Sequence, residues 1–196
     1  MRRVMVGAVL ALALATDVSA QIPGVNLNLF PRVGVFQPRS NLTEEGVEAK
    51  LRGGLAIGLS AEFTLPLLPD IRANLEYVPK VGTTQNDVDD DTENSLLALT
   101  ADLVMSLAPP LSPIKPYLLV GGGVKRYEFD SSIGTSTKES DPTLHVGAGV
   151  GLKLGPLLLV GEASDYISRF EFDNTDSGKK LQNDIFFMVG FKIGMF

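Results

Sequence analysis

One histidine, His145, is the sole imidazole in a chain of 196 residues. It is the natural first candidate for acid–base or nucleophilic chemistry. It stands in the stretch HVGAGVGLKLG, where the lipid-hydrolase arrangement with a serine two residues after the histidine is broken by Gly147. A polar histidine inside or at the rim of a sheet is therefore the expectation, with no catalytic residue and no enzymatic activity. The second candidate is DVDDDTEN, in which Asp87, Asp89, Asp91 and Glu93 alternate as at the start of a calcium loop. An EF-hand needs glycine at its sixth position and glutamate at its twelfth, and neither is present. That stretch reads as an acidic surface loop, and no metal or cofactor is expected.

The third set is larger. Arg32, Arg52, Arg72, Lys125, Lys153 and Lys192 share strand-like segments with Glu62, Glu76, Asp102 and Glu162, always on the face opposite the apolar residues. Ten charges of mixed sign on one face can neutralise one another. Such neutralisation is what an enclosed, water-poor space requires of its charges.

The segments that carry these charges alternate with period two, which is the mark of strands. Eight are visible. Leu51, Leu55, Ile57, Leu59, Ala61 and Phe63 oppose Arg52, Gly54, Gly58 and Glu62, and Ile71, Ala73, Leu75 and Tyr77 oppose Arg72, Asn74 and Glu76. The last segment sets Ile185, Phe187, Val189, Phe191, Ile193 and Met195 against Gly190, Lys192 and Gly194, and the chain stops at Phe196. In the segment that begins at Tyr117, Leu118, Val120 and Val124 are assigned to the apolar face and Gly121, Gly123 and Lys125 to the other. Asp165 falls on the apolar face of the seventh segment.

Connections alternate strictly between short proline-rich ones (TLPLLPD, PPLSPIKP, GP) and long polar ones (SNLTEEGVEAK, VGTTQNDVDDDTEN, DSSIGTSTKESD, DNTDSGKKLQN). That rhythm suits an up-and-down sheet whose two ends face different surroundings.

The direction of the apolar face decides between two architectures. A soluble barrel turns it inward and a membrane barrel turns it outward. Nine glycines on the polar face favour the membrane arrangement: Gly54, Gly58, Gly121, Gly123, Gly147, Gly149, Gly151, Gly190 and Gly194. Glycine adds nothing on an open strand surface, whereas the interior of eight strands has barely enough room for side chains.

At the start, MRRVMVGAVLALALATDVSA has two arginines, an apolar run and a small-residue cleavage site before Gln21. It reads as a secretory signal peptide over 1–20, with one domain over 21–196. Its removal takes away two arginines and an aspartate, moving the formal net charge from −6 to −7. An acidic mature chain without basic clusters argues against a nucleic-acid partner. The absence of cysteine excludes disulfide staples.

With PRVGVF in the first strand, PYLLVGGGVKRY in the fifth, HVGAGVGLKLG in the sixth and a terminal Phe196, the mature chain resembles the small outer-membrane β-barrel family, the OmpA-like and OmpX-like eight-stranded proteins of Gram-negative bacteria. The resemblance implies an all-β, eight-stranded antiparallel up-and-down transmembrane barrel with periplasmic termini, short periplasmic turns and long cell-surface loops. It also implies outer-membrane lipid and lipopolysaccharide as surroundings, and an assembly machinery that reads Phe196. In that family the positions third and fifth from the end are apolar; here they are Gly194 and Lys192. A bulge near Gly194, or a different seat for Phe196, would account for this.

The functional expectation is a monomeric outer-membrane barrel with a polar, glycine-rich lumen plugged by paired charges and a structural or surface-interaction role. The alternatives are a narrow conduit for small or apolar solutes and a soluble periplasmic ligand-binding barrel.

Overall fold

A computed structural model of the chain describes residues 26–39, 41–44, 47–64, 68–85, 88–109, 112–130, 136–155, 157–170 and 180–193. The signal-peptide assignment, Gly194 and Phe196 lie outside the described residues. Ten strands follow in chain order: β1 (Asn26–Pro38), β2 (Asn41–Glu44), β3 (Val47–Leu51), β4 (Gly54–Thr64), β5 (Asp70–Gln85), β6 (Val88–Ser106), β7 (Ile114–Asp130), β8 (Ser136–Leu154), β9 (Leu157–Phe170) and β10 (Lys180–Ile193). Eight of them form a closed antiparallel barrel in the order β1, β4, β5, β6, β7, β8, β9, β10, and β10 returns to β1 from Arg32↔Gly190 to Pro38↔Asp184. The small β2–β3 hairpin is added to the loop end of β5 through Ala49↔Gln85, Lys50↔Thr84 and Leu51↔Thr83.

All eight expected strands are present, and several run well beyond their alternating segments. β5 continues to Gln85 and β6 begins at Val88, so most of VGTTQNDVDDDTEN is hairpin rather than loop. β7 and β8 extend DSSIGTSTKESD in the same way, pairing up to Asp130↔Ser136. Backbone pairing, which ignores side-chain polarity, carries the ladder past the point where hydrophobic alternation stops. β5 accommodates two register shifts against β6 between Val78 and Thr83, beside Pro79, which has no N–H to donate. At the opposite end, Gly155 closes the β8–β9 hairpin with φ 63°, a left-handed conformation that suits a two-residue turn.

The pairing registers give the barrel its pitch. Directly opposed partners run Asn28, Glu62, Arg72, Asp102, Gly121, His145, Tyr166, Asp184 and then Pro38. One circuit therefore returns to β1 ten residues further along. With about 3.3 Å per residue and about 4.8 Å between strands, this offset over eight strands implies a tilt of about 41° and a backbone radius of about 8 Å.

The apolar face points outward. Val33, Leu55, Leu99, Val124, Phe187 and Val189 are each about half exposed, as are most large apolar residues at alternate positions around the barrel, including Leu118 and Val120 of β7. A soluble barrel with an apolar interior is thereby overturned. Asp165 also has outward parity, opposite Val146 and Ile185.

The interior departs from the expected polar, glycine-rich lining. Phe30, Phe36, Val78, Leu96, Leu119, Val160, Phe186 and Met188 are all buried inside. All but Phe30 fall into two clusters, one toward the loop end, around Phe36, Val78, Leu96 and Phe186, and a second toward the turn end, around Val104, Tyr117, Leu119 and Val160. Polar side chains fill the space between the two.

Candidate functional site: the charged lumen

Several glycines of the polar face sit directly opposite charged inward side chains. Gly58 opposes Glu76, Gly121 opposes Asp102 and Gly190 opposes Arg32. A Cβ at Gly121 would collide with the Ala101 carbonyl oxygen and the Asp102 side chain, and one at Gly58 would meet the Glu76 carboxylate. Each missing side chain provides the space in which a neighbouring strand's charged group lies across a lumen of small radius.

Glu162 of β9 is the centre of the network. It accepts hydrogen bonds from Arg32 Nη1 and Arg72 Nη1, both at 2.6 Å, and from the Tyr117 hydroxyl at 2.7 Å. Arg72 also donates from Nε to Glu62 at 2.8 Å, and Lys192 pairs with the other oxygen of Glu62. Arg32 pairs with Glu76 and donates to Asn74 Oδ1 at 2.9 Å. Each of these charges has an opposite partner together with hydrogen bonds, the condition for ionised groups to persist away from water. The Phe30 ring adds a surface for the cations, with Arg72 at 5.1 Å and Lys192 at 4.9 Å from its centroid.

Asn74 links this cluster to Asp102, to which it donates from Nδ2 while accepting from the Ser60 hydroxyl at 2.7 Å. Asp102 lies 2.9 Å from His145 Nδ1, and the His145 ring stacks on Tyr166 with centroids 4.1 Å apart. A separate group toward the loop end joins Lys125 to Asp184. Asp184 also accepts from the Tyr127 hydroxyl at 2.6 Å, and Gln182 donates to that hydroxyl at 2.8 Å. All eight barrel strands contribute to one or the other group.

Of the ten charges singled out from the sequence, Arg32, Glu62, Arg72, Glu76, Asp102, Lys125 and Glu162 are buried in the lumen, and Lys192 lies against them. Arg52 and Lys153 do not join them, which corrects their place in the expected network. Arg52 falls in the connection between β3 and β4, outside the barrel ladder, where it is exposed. Lys153 keeps the inward parity of β8 but sits at the turn end, where the lumen opens.

A second correction concerns Asp102. Its neighbours are Asn74, Thr100 and His145, and no lysine or arginine pairs with it among the described residues. Lys125 finds its partner in Asp184, which the sequence reading passed over. The parity of Gly190 and Lys192, carried back along β10 to Asp184, was the available signal. Tyr117, Tyr127 and Tyr166 were also missed. Tyrosine fits either face of a membrane strand, and only the parity of Gly121 and Gly123 carried back along β7 points Tyr117 inward.

The buried His145–Asp102 pair has no hydrolase geometry. In a catalytic triad the carboxylate and the nucleophilic hydroxyl engage opposite ring nitrogens. Here the Thr100 hydroxyl lies 3.3 Å from Nδ1, the nitrogen already facing Asp102. Among the described residues, no group of three or more histidine, aspartate or glutamate side chains could hold a metal ion. The arrangement is a cross-brace: Arg72–Glu162 joins strands on opposite sides of the lumen, and the other ion pairs join strands one to three apart.

Solved structures share this architecture. The chain is similar to Neisserial surface protein A (NspA), with a TM-score of 0.61 and 17% identity over 88% of this chain and 99% of that one. OprG from Pseudomonas aeruginosa gives a TM-score of 0.61 and 12% identity over 86% and 95%. Ail, the attachment invasion locus protein of Yersinia pestis, gives 0.50 and 16% over 87% and 99%. No protein-family model matches the chain, and no curated protein matches it. At these identities the likeness establishes the fold, which is that of the small eight-stranded outer-membrane barrels.

Proposed function

We propose that the protein is an integral outer-membrane barrel with a closed lumen, whose role is structural and interactive at the cell surface rather than conductive. One observation carries this reading: Arg32, Arg72, Glu62 and Glu162, drawn from four strands, meet within hydrogen-bonding distance across the lumen and are almost fully buried. A salt-bridged crossing of this kind leaves no continuous column of water, and opening it would strand charges in a low-dielectric interior. The half-exposed apolar girdle supports placement in a bilayer, where only a closed barrel satisfies every backbone group of a sheet.

The long hairpins β5–β6 and β7–β8, together with β2–β3, all rise at the same end of the barrel. In the outer-membrane orientation that end faces the cell exterior, with lipopolysaccharide around it and the chain termini on the periplasmic side. Two of the similar barrels are named as a surface protein and as an attachment invasion locus protein, which accords with a role for the exterior end.

Planar-bilayer recording tests the closed lumen. The unmodified protein should show no steady unitary current. Large, stable, single-channel steps would overturn the reading in favour of a conduit for small solutes.

A further inference from the structure

Below the charge network, at the turn end, the barrel contains a half-open cavity of about 400 Å³. Arg72 and Tyr117, both hydrogen-bonded to Glu162, line its inner end, so it is a vestibule below that crossing. Its walls differ in character with depth. Deep inside, Val104, Tyr117 and Val160 are buried in one apolar cluster with Leu158 packed against it, and all four line the cavity. At the mouth stand Lys115 and Lys153 on adjacent strands. Lys115 lies opposite Gly151, and Lys153 is two residues further along β8 on the same face.

The two lysines differ from the other cations of the lumen. Arg72 and Lys192 are held by Glu62, which also lines the cavity, and Asp70 stands at its edge. Among the described residues, neither Lys115 nor Lys153 has a carboxylate partner. An apolar recess of this size, with a few convergent charged groups at its entrance, has the form of a small-molecule site. Lysines without a described carboxylate partner at the mouth of a low-dielectric recess attract an anion, and buried apolar walls favour a hydrocarbon chain.

We propose that this vestibule binds a single-chain anionic amphiphile. Its carboxylate or phosphate-ester headgroup would lie between Lys115 and Lys153, and its chain would lie on Val104, Leu158 and Val160. Binding is from the turn end and does not lead across the barrel. The site stands on its own observations, independently of what the exterior hairpins do.

The test uses the mature chain in nanodiscs of zwitterionic phosphatidylcholine, with valine and leucine methyl groups labelled for NMR and titrated with octanoate, octyl phosphate or inorganic phosphate. Octanoate should give saturable shifts at Val104, Leu158 and Val160 but none at the outward Val124 and Val189, which report partitioning into lipid. Lys115→Gln combined with Lys153→Gln should weaken octanoate binding at least tenfold without altering the rest of the spectrum. If that double variant does not fold, Lys153→Gln alone, at an exposed position, should weaken it at least threefold. Octyl phosphate binding more tightly than octanoate would point to phospholipid-derived ligands, and the reverse order to free carboxylates. Non-saturating shifts, equal shifts at Val124, unchanged affinity in the lysine variants, or inorganic phosphate binding as tightly as octanoate would each overturn the proposal.

Discussion

Glu162 receives three donors within 2.7 Å, two of them guanidinium groups from β1 and β5. Removing its charge while keeping its size leaves Arg32 and Arg72 with one carboxylate each in a buried site. Glu162→Gln should therefore destabilise the barrel by about 3 kcal/mol, measured by urea unfolding in lipid vesicles. Asp102 makes the contrast. Its partners are an amide, a hydroxyl and an imidazole, so Asp102→Asn loses hydrogen bonds without stranding an arginine or lysine and should cost only about 1 kcal/mol. Equal costs for the two would contradict the assigned pairing. The glycines allow a sharper comparison, because Gly121 faces the crowded lumen and Gly161 faces outward. At Gly121 the Ala101 carbonyl oxygen stands in the way, whereas nothing lies within 4 Å at Gly161. Gly121→Ala should destabilise by about 2 kcal/mol from overpacking, and Gly161→Ala should stay within about 0.5 kcal/mol of the parent in the same assay.

Strand β10 closes the sheet, so its recognition during assembly and its contribution to stability are separable. Phe191 is outward on β10, half exposed and opposite Leu159. Phe191→Ala removes a large apolar contact with lipid and should lower the stability of the refolded barrel by about 2 kcal/mol, with little change in outer-membrane level. Deletion of Phe196 should do the reverse: a stability loss of about 1 kcal/mol and a marked fall in outer-membrane level on cell fractionation. An unchanged level after that deletion would rule out Phe196 as an assembly signal. The strands themselves were legible in the sequence because an outward apolar residue alternating with an inward glycine or charge gives a clean period of two. Where adjacent residues are both apolar, as at Leu96–Leu97, Leu118–Leu119 and Phe186–Phe187, the outward member was legible from its parity but the inward one was not, since its own polarity gives no sign of a lumen position. Two apolar clusters inside the barrel went unread for that reason. The ion pairs were legible as a set of charges but not as partners, because which strand faces which across the lumen depends on the ring closure, and no local pattern encodes it.

At the scale of the whole molecule, a closed ladder of eight strands with an apolar exterior has no free edge within the barrel at which unfolding can begin. Without boiling, the protein should stay folded in SDS and migrate differently from a boiled sample on a gel. Identical migration, with the protein recovered from the soluble periplasmic fraction, would rule out the membrane barrel. The ten-residue offset between the start and end of one circuit has a further consequence. Over that circuit the row of opposed residues climbs about 25 Å along the axis, close to the height of the apolar band of a membrane barrel, about 25 Å. That row is thus threaded like a screw rather than stacked in flat rings. Glu62 and Arg72 begin the climb near the turn end, and Asp184 completes it near the loop end. On the closed-lumen reading proposed above, the Glu162 crossing and the Lys125–Asp184 group lie at different depths, so a substitution that loosens one should leave the other in place. On that reading, leakage would require coincident lesions in both groups.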